Sequence, residues 1–378
     1  MILLLILIVA SLAYQILALV SLGRFFTNSL PSLDISEWPG ITVLKPVKGL
    51  DRESRECLKS FLTQDYPAYQ VLFGVADTAD PVVPLLNELR RETPPGRLEV
   101  IFCPENLGHN PKVSILRQLE PRARYDFLAV ADGDVKAGPD FLRSMASALQ
   151  EPGVGLVSCP YRAGQSRSLG SWLEALTISA DFIPSVVVAH YVEGIRFALG
   201  AALALTRPAL KRIGGFAALG DYLADDYQLG WQINQAGFQV KLLPCVVETV
   251  NPRLSLRDYL AHQLRWARTY RVCRPLGYFA YGITHTLVVS LALALASNMA
   301  PWALGLAAAT LALRGGLAWC SEVVCLGGTL TLPALLLVPV KDLLAFFLWL
   351  SSFLGNKVVW KGRRFRLTRD GLLVPIEE

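Results

Sequence analysis

The chain has 378 residues, 53% of them hydrophobic, a formal net charge of +5 and a mean hydropathy of +0.40. Soluble domains rarely reach that average, so some segments sit in lipid. The 36 basic residues are not interleaved with aromatics along a stripe, which sets nucleic-acid binding aside. Seven cysteines without a C-x-x-C pair offer neither a zinc site nor a disulfide framework, and read as buried thiols in a reducing compartment.

Residues Ile2 to Leu22 are almost purely apolar and long enough to span a bilayer. No basic stretch precedes them, so they read as an anchor rather than a signal peptide. Arg24 follows, placing the downstream residues in the cytosol under the positive-inside rule.

From Ile41 to about Arg274 short apolar runs alternate with helical patterns. Strands are expected at Ile41–Leu44, Gln70–Val75, Leu98–Phe102, Tyr125–Ala131 and Val154–Ser158. Helices are expected at Arg52–Gln64, Pro84–Arg91 and Asp140–Gln150. Such alternation predicts an α/β fold with a mostly parallel sheet between helices, whose ligands bind beyond the carboxyl ends of the strands.

Beyond Arg274, Gly277–Met299, Trp302–Cys320 and Leu332–Leu354 are each long and apolar enough to cross or nearly cross a membrane. The tail then carries Lys357, Lys361, Arg363, Arg364, Arg366 and Arg369, and beside a membrane helix it reads as cytosolic. Three full crossings would leave that tail outside. One segment is therefore expected to be re-entrant or interfacial, and Leu332–Leu354, interrupted by Pro333, Pro339, Lys341 and Asp342, is the candidate. The predicted organisation is an anchor at 1–24, a cytosolic catalytic domain at 25–275, membrane segments at 276–356 and a basic tail at 357–378.

Four motifs carry chemistry. Asp132-Gly133-Asp134 closes the apolar run from Tyr125, and two carboxylates at i, i+2 suit Mn²⁺ or Mg²⁺ completed by phosphate oxygens and water. A plain Asp-Gly-Asp turn is the alternative. The run Val71–Val75 also ends in acid, at Asp77, with Asp80 beyond. Asp225-Asp226 follows, with a helix cap before Tyr227 as its alternative. Last comes His262-Gln263-Leu264-Arg265-Trp266, among Arg268 and Arg271, where Arg and Trp can hold a phosphate and wall a pocket. A juxtamembrane basic helix is the other reading there.

In this order and spacing the four motifs resemble the D, D-x-D, D and Q/R-x-x-R-W pattern of inverting glycosyltransferases with the GT-A fold. They are most similar to the ceramide glucosyltransferase family and its bacterial relatives, the hopanoid-associated glycosyltransferases included. Leu44–Gly49, Gln64-Asp65-Tyr66-Pro67, Asn110-Pro111-Lys112-Val113, Gly214-Gly215-Phe216 and Trp360–Leu367 extend the resemblance over nearly the whole chain. Phe182-Ile183-Pro184-Ser185 and His262–Arg268 look like the hopanoid-associated members.

The resemblance implies roles. Asp77 binds the uridine, Asp132 and Asp134 hold the ribose or diphosphate and the metal, and Lys112 is a further phosphate contact. Asp226 is the general base, while Arg265 and Trp266 close the site near the diphosphate and acceptor. His262 stands where the family carries Gln or Arg, which leaves its own contact, to acceptor or diphosphate, in question. The implied activity is transfer of glucose from UDP-glucose to a lipid hydroxyl, ceramide or another, with a divalent cation (Mn or Mg) and inversion. Transfer of N-acetylglucosamine from its UDP donor to a hopanoid is the nearest rival. A processive polysaccharide synthase and a non-catalytic membrane receptor or scaffold are more distant ones. The implied location is the bacterial inner membrane. Phe182–Leu205, interrupted by Glu193 and Arg196, is expected to be an interfacial element for acceptor entry, with a buried helix and strand as the alternative.

Overall fold

The computed structural model describes residues 1–28, 37–250 and 252–376. It divides into two compact units, one of residues 28–161 with 194–250, the other of residues 1–27, 162–193 and 251–378.

The first unit is built on a seven-stranded sheet. Its strands in chain order are β1 (Ile41–Pro46), β2 (Tyr69–Val75), β3 (Leu98–Phe102), β4 (Phe127–Ala131), β5 (Val154–Ser158), β6 (Ala202–Thr206) and β7 (Gln239–Leu242). Their spatial order is β3-β2-β1-β4-β6-β5-β7. β1 lies parallel to β2 and β4, β2 to β3, and β5 to β7, whereas β6 runs antiparallel to β4 and β5. Every residue of β2 is buried. Such strands, covered on both faces, read as continuous apolar runs rather than alternating ones, which is why the sequence pattern locates five of the seven. Gly74 in β2 has no room for a side chain, since a Cβ there would meet Ile115 at 2.4 Å. Its absence lets the Pro111–Leu119 helix lie close on the sheet.

The second unit gathers the apolar helices. Ile2–Thr27, Leu169–Val192, Pro301–Cys325 and Leu332–Ser352 are each long and apolar enough to cross a membrane. Pro275–Thr284 and Thr286–Ala296 form a pair bent by 55°. The bend therefore falls in the first of the three C-terminal segments, while the segment expected to be re-entrant forms a 21-residue helix. The charges that argued against a span there are neutralised. Arg314 donates to Asp342 through Nε at 2.9 Å and Nη2 at 2.7 Å, and to Asp181 at 2.7 Å. Lys341 donates to Asp181 at 2.5 Å and lies 2.6 Å from Asp342. Arg314 Nη1 also donates to Gln15 Oε1 and to the Ala180 carbonyl. That carbonyl lies in the π-helical turn Ile178–Phe182. Two cations and two carboxylates thus balance among three helices, with every hydrogen-bonding end occupied, as burial of charge demands.

The stretch expected to be one interfacial element is two elements. Its first part, to Val192, completes the Leu169–Val192 helix, and its last part is β6. Glu193 and Gly194, the latter at φ +75°, mark the end of that helix rather than the middle of a longer one. The basic tail forms a three-stranded antiparallel sheet of Lys357–Trp360, Arg363–Leu367 and Leu373–Pro375, with Val358, Phe365, Leu367 and Leu373 buried.

Candidate active site

The carboxyl ends of β1, β2 and β4 lie side by side, and the loops leaving them carry the acidic motifs. Asp77 follows β2 and is exposed, its Oδ1 accepting from the Ala79 amide at 2.9 Å. Asp80 ties this loop to the one leaving β1, because its carboxylate accepts from the Gly49 amide at 2.9 and 3.1 Å.

Asp132-Gly133-Asp134 leaves β4 and is fixed through its backbone. The Asp132 amide donates to Ala201 O at 3.1 Å, and Asp134 O accepts from the Val250 amide at 2.9 Å. Lys45, wholly buried in β1, donates to Asp132 O at 2.5 Å and to Val135 O at 3.1 Å. Burial pushes its ammonium down to about 8, against the pull of Asp134. Gly133 passes close to the Pro46 carbonyl, where a Cβ would come within 3.2 Å.

Lys112 is the electrostatic centre. Its Nζ lies 2.6 Å from Asp132 Oδ1 and 3.5 Å from Asp225 Oδ2. Burial disfavours its charge, but Asp132, Asp225 and Asp226 outweigh burial and hold its pKa well above the ordinary lysine value. Asn110 places it. The Asn110 side-chain oxygen caps the Pro111–Leu119 helix by accepting from the Lys112 and Val113 amides, and its Nδ2 donates to Tyr222 O and Asp225 Oδ1. One fully buried side chain thus couples the helix that carries Lys112 to the start of the helix that carries the acidic pair.

Asp225 and Asp226 occupy the first turn of the Asp225–Gln235 helix, whose N-cap is Ala224. They are therefore not the capping residues, and the helix dipole favours their ionised forms. Gly230 seats this helix on Phe197 and Ala198, since a Cβ there would lie 2.4 Å from the Ala198 amide. Asp226 rests against Gly200, where a Cβ would lie 2.6 Å from Oδ2. Burial, then Asp225, pushes the Asp226 carboxyl up to about 6, against Lys112. Asp134 reaches about 6 by crowding within the protein and by Asp132, against Lys45, although it keeps an open face to solvent.

Among the described residues no group of three or more His, Cys, Asp or Glu is placed to hold a metal. Asp132 and Asp134 alone are a partial set of hard oxygen donors, of the kind completed by substrate phosphates and water. Asp134 forms no ion pair among the described residues, and its raised pKa is what an incoming cation would relieve. The residues present fit such a cation.

The first unit thus brings together Asp132, Lys112 and Asp226 from the sequence reading, and places Asp134 two residues from Asp132 and Asp77 two strands away. Lys45, Asn110, Asp225 and Gly200 complete the arrangement. Of these, only the runs around Lys45 and Asn110 and the paired Asp225 were visible as motifs.

His262, Arg265 and Trp266 belong to the helical unit, on Leu256–Cys273. His262 Nδ1 lies 3.1 Å from Glu174 Oε1, and its ring meets Trp266 edge-on at 4.9 Å. Trp266 also packs on Phe182 and Tyr270. Burial works against the Arg265 charge and Glu174 supports it, with a net lowering. All seven cysteines are free thiols, with Cys57, Cys103 and Cys159 buried and the other four partly so.

The sequence model of Glycosyl transferase family 21 matches residues 3–373. Ceramide glucosyltransferase 1 of Caenorhabditis elegans is 26% identical over 50% of this chain and 41% of its own length. Ceramide glucosyltransferase 3 of the same organism is 21% identical over 90% of this chain and 75% of its own. Among solved structures, the mannosyltransferase PcManGT from Pyrobaculum calidifontis, in complex with GDP-Man and Mn²⁺, superimposes with a TM-score of 0.56 at 20% identity. That match covers 93% of this chain and 96% of the other, and it supports the GT-A fold. The chain belongs to glycosyl transferase family 21 and is a glycosyltransferase.

Proposed function

We propose that this enzyme transfers glucose from UDP-glucose to the hydroxyl of a membrane lipid, ceramide or a similar hydroxyl lipid, with inversion at the anomeric carbon. The observation that carries the reading is Lys112 set among Asp132, Asp225 and Asp226, with Asp226 at a pKa of about 6. A carboxyl at that value is about nine-tenths ionised at pH 7, and is a stronger base than an ordinary aspartate, which suits proton abstraction near neutrality. Asp226 takes the proton of the lipid hydroxyl as its oxygen bonds to the anomeric carbon. The bond from that carbon to the diphosphate oxygen breaks, and UDP departs from the opposite face. Asp132 and Asp134 hold the divalent cation, Mn²⁺ or Mg²⁺, which when bound supplies charge stabilisation to the diphosphate. Lys112 adds a fixed positive charge, and Asp77 binds the uridine. Arg265 and Trp266 are donor contacts, and His262 contacts substrate.

The names of the relatives, both ceramide glucosyltransferases, support glucose and ceramide. Arg24 and the basic tail support a cytosolic catalytic unit. Cysteine accessibility probes at Thr27 and Thr368 should label from the same, cytosolic face. The deciding experiment crosses UDP-glucose, UDP-N-acetylglucosamine and other UDP-sugars with ceramide, diacylglycerol and hopanoid acceptors, read by mass spectrometry. A β-glucosylceramide product is expected. Product only from UDP-N-acetylglucosamine and the hopanoid, or only a polymer, would overturn the assignment.

A further inference from the structure

Glu174 is a buried carboxylate that the reaction above does not use. It sits on the Leu169–Thr177 helix, 6% exposed, and faces the Leu256–Cys273 helix within the same unit. Its Oε2 accepts from Gln263 Nε2 at 2.8 Å, and its Oε1 lies 3.1 Å from His262 Nδ1. Both oxygens are engaged by neighbouring positions of one helix. A carboxylate is costly to bury and is retained where it is paired.

The contact fixes a chemical property of His262. An ionised carboxylate only accepts, and would repel the lone pair of a bare ring nitrogen at 3.1 Å. A hydrogen on Nδ1 makes this contact a hydrogen bond, and in the uncharged ring Nε2 is then the acceptor. Second-partner contacts of this kind set which imidazole nitrogen is presented. Trp266 restrains the ring from another side. His262 keeps 28% of its side chain exposed against 8% for Glu174, so the pair has an inner and an outer end. A Gln or Arg at position 262 would bring donors of its own and need no such fixing.

We propose that Glu174 is a positioning residue that locks His262 with Nδ1–H inward, so that Nε2 accepts a hydrogen bond from a substrate hydroxyl. The proposal rests on the transferase reading above. The hydroxyl belongs to the lipid headgroup or to the sugar, and the kinetics distinguish the two.

The test uses the full-length protein in nanodiscs, with UDP-glucose and ceramide varied separately, for wild type, Glu174→Gln, His262→Ala and the double variant. Glu174→Gln should lower kcat/KM about tenfold alone, yet less than about twofold in the His262→Ala background, as residues acting through one contact are non-additive. A loss confined to the ceramide KM assigns the hydroxyl to the lipid, and one confined to the UDP-glucose KM assigns it to the sugar. The same factor in both backgrounds, or no loss in either, would overturn the proposal and leave Glu174 a packing residue.

A second readout needs no turnover. The chain has four histidines, so imidazole ¹⁵N spectra can be assigned with His262→Gln. The Nδ1–H tautomer is expected in the wild type and should be lost in Glu174→Leu. An Nε2–H tautomer in the wild type would sink the proposal whatever the enzyme transfers. The expected tautomer in a protein that transfers no sugar would instead sink the transferase reading.

Discussion

Gly200→Ala isolates the placement of the base from its chemistry. A Cβ at position 200 would stand 2.6 Å from Asp226 Oδ2, 2.9 Å from its Cγ and 3.2 Å from its Cβ, where ordinary contact begins near 3.4 Å. The carboxylate must retreat by about 0.8 Å, and displacements of about 1 Å can cost about 10²-fold in rate. Asp226 itself is unaltered, so the expected result is a fall of about 10² in kcat, with the KM for UDP-sugar nearly unchanged. The assay is steady-state transfer to ceramide in nanodiscs, with thermal melting alongside to verify that the fold persists. Gly138→Ala is the control, because a Cβ there meets nothing within 4 Å, and it should leave kcat unchanged. A Gly200→Ala variant within threefold of wild-type kcat would refute the reasoning, showing either that the side chain relaxes freely or that Asp226 is not the base.

Asp226→Asn should lower transfer by about 10²–10⁴ while retaining donor binding; near wild-type turnover would remove Asp226 from the chemistry. Because the base works ionised, wild-type kcat should climb as pH rises through about 6, and a profile flat from pH 5 to 7 would contradict that assignment. Asp134→Ala should weaken donor affinity and blunt the response to added Mn²⁺ or Mg²⁺, measured by titrating the cation at fixed donor; an unchanged titration would exclude Asp134 as a ligand. Asn110→Ala removes a helix cap and the donor to Asp225, so a loss of about 2–3 kcal/mol in stability is expected from the cap and the unsatisfied groups together. A melting temperature equal to wild type would show that the cap is dispensable.

The parallel strands were readable because burial on both faces leaves an uninterrupted apolar run, as in Val71–Val75. Asp77 and Asp132-Gly133-Asp134 stood out because each follows the end of such a run. What stayed hidden depends on contacts distant in sequence. β6 was merged with the apolar stretch before it, since composition changes little across the turn and only Glu193 and Gly194 mark the break. The Leu169–Val192 helix was missed as an apolar segment because Glu174 and Asp181 interrupt it. Their partners, Gln263 and His262 for one, Arg314 and Lys341 for the other, are supplied by helices that follow much later. Gly200 and Asn110 likewise owe their importance to Asp226 and Asp225, a relation that no local pattern encodes.

The charge cluster among the apolar helices also imposes a timetable on biogenesis. Asp181 leaves the ribosome 133 residues before Arg314 and 160 before Lys341. At roughly 5–20 residues per second, the carboxylate waits some seconds to tens of seconds for its first counter-charge. A lone Asp at the centre of a bilayer costs about 2.5–3.5 kcal/mol on insertion scales, a cost that the Leu169–Val192 helix, apolar and long enough to cross a membrane, would carry in lipid throughout that interval. Seating of that helix in lipid would then follow, not precede, the arrival of the last two apolar segments. A nascent chain that stops short of Arg314 would leave Asp181 without either of its cationic partners.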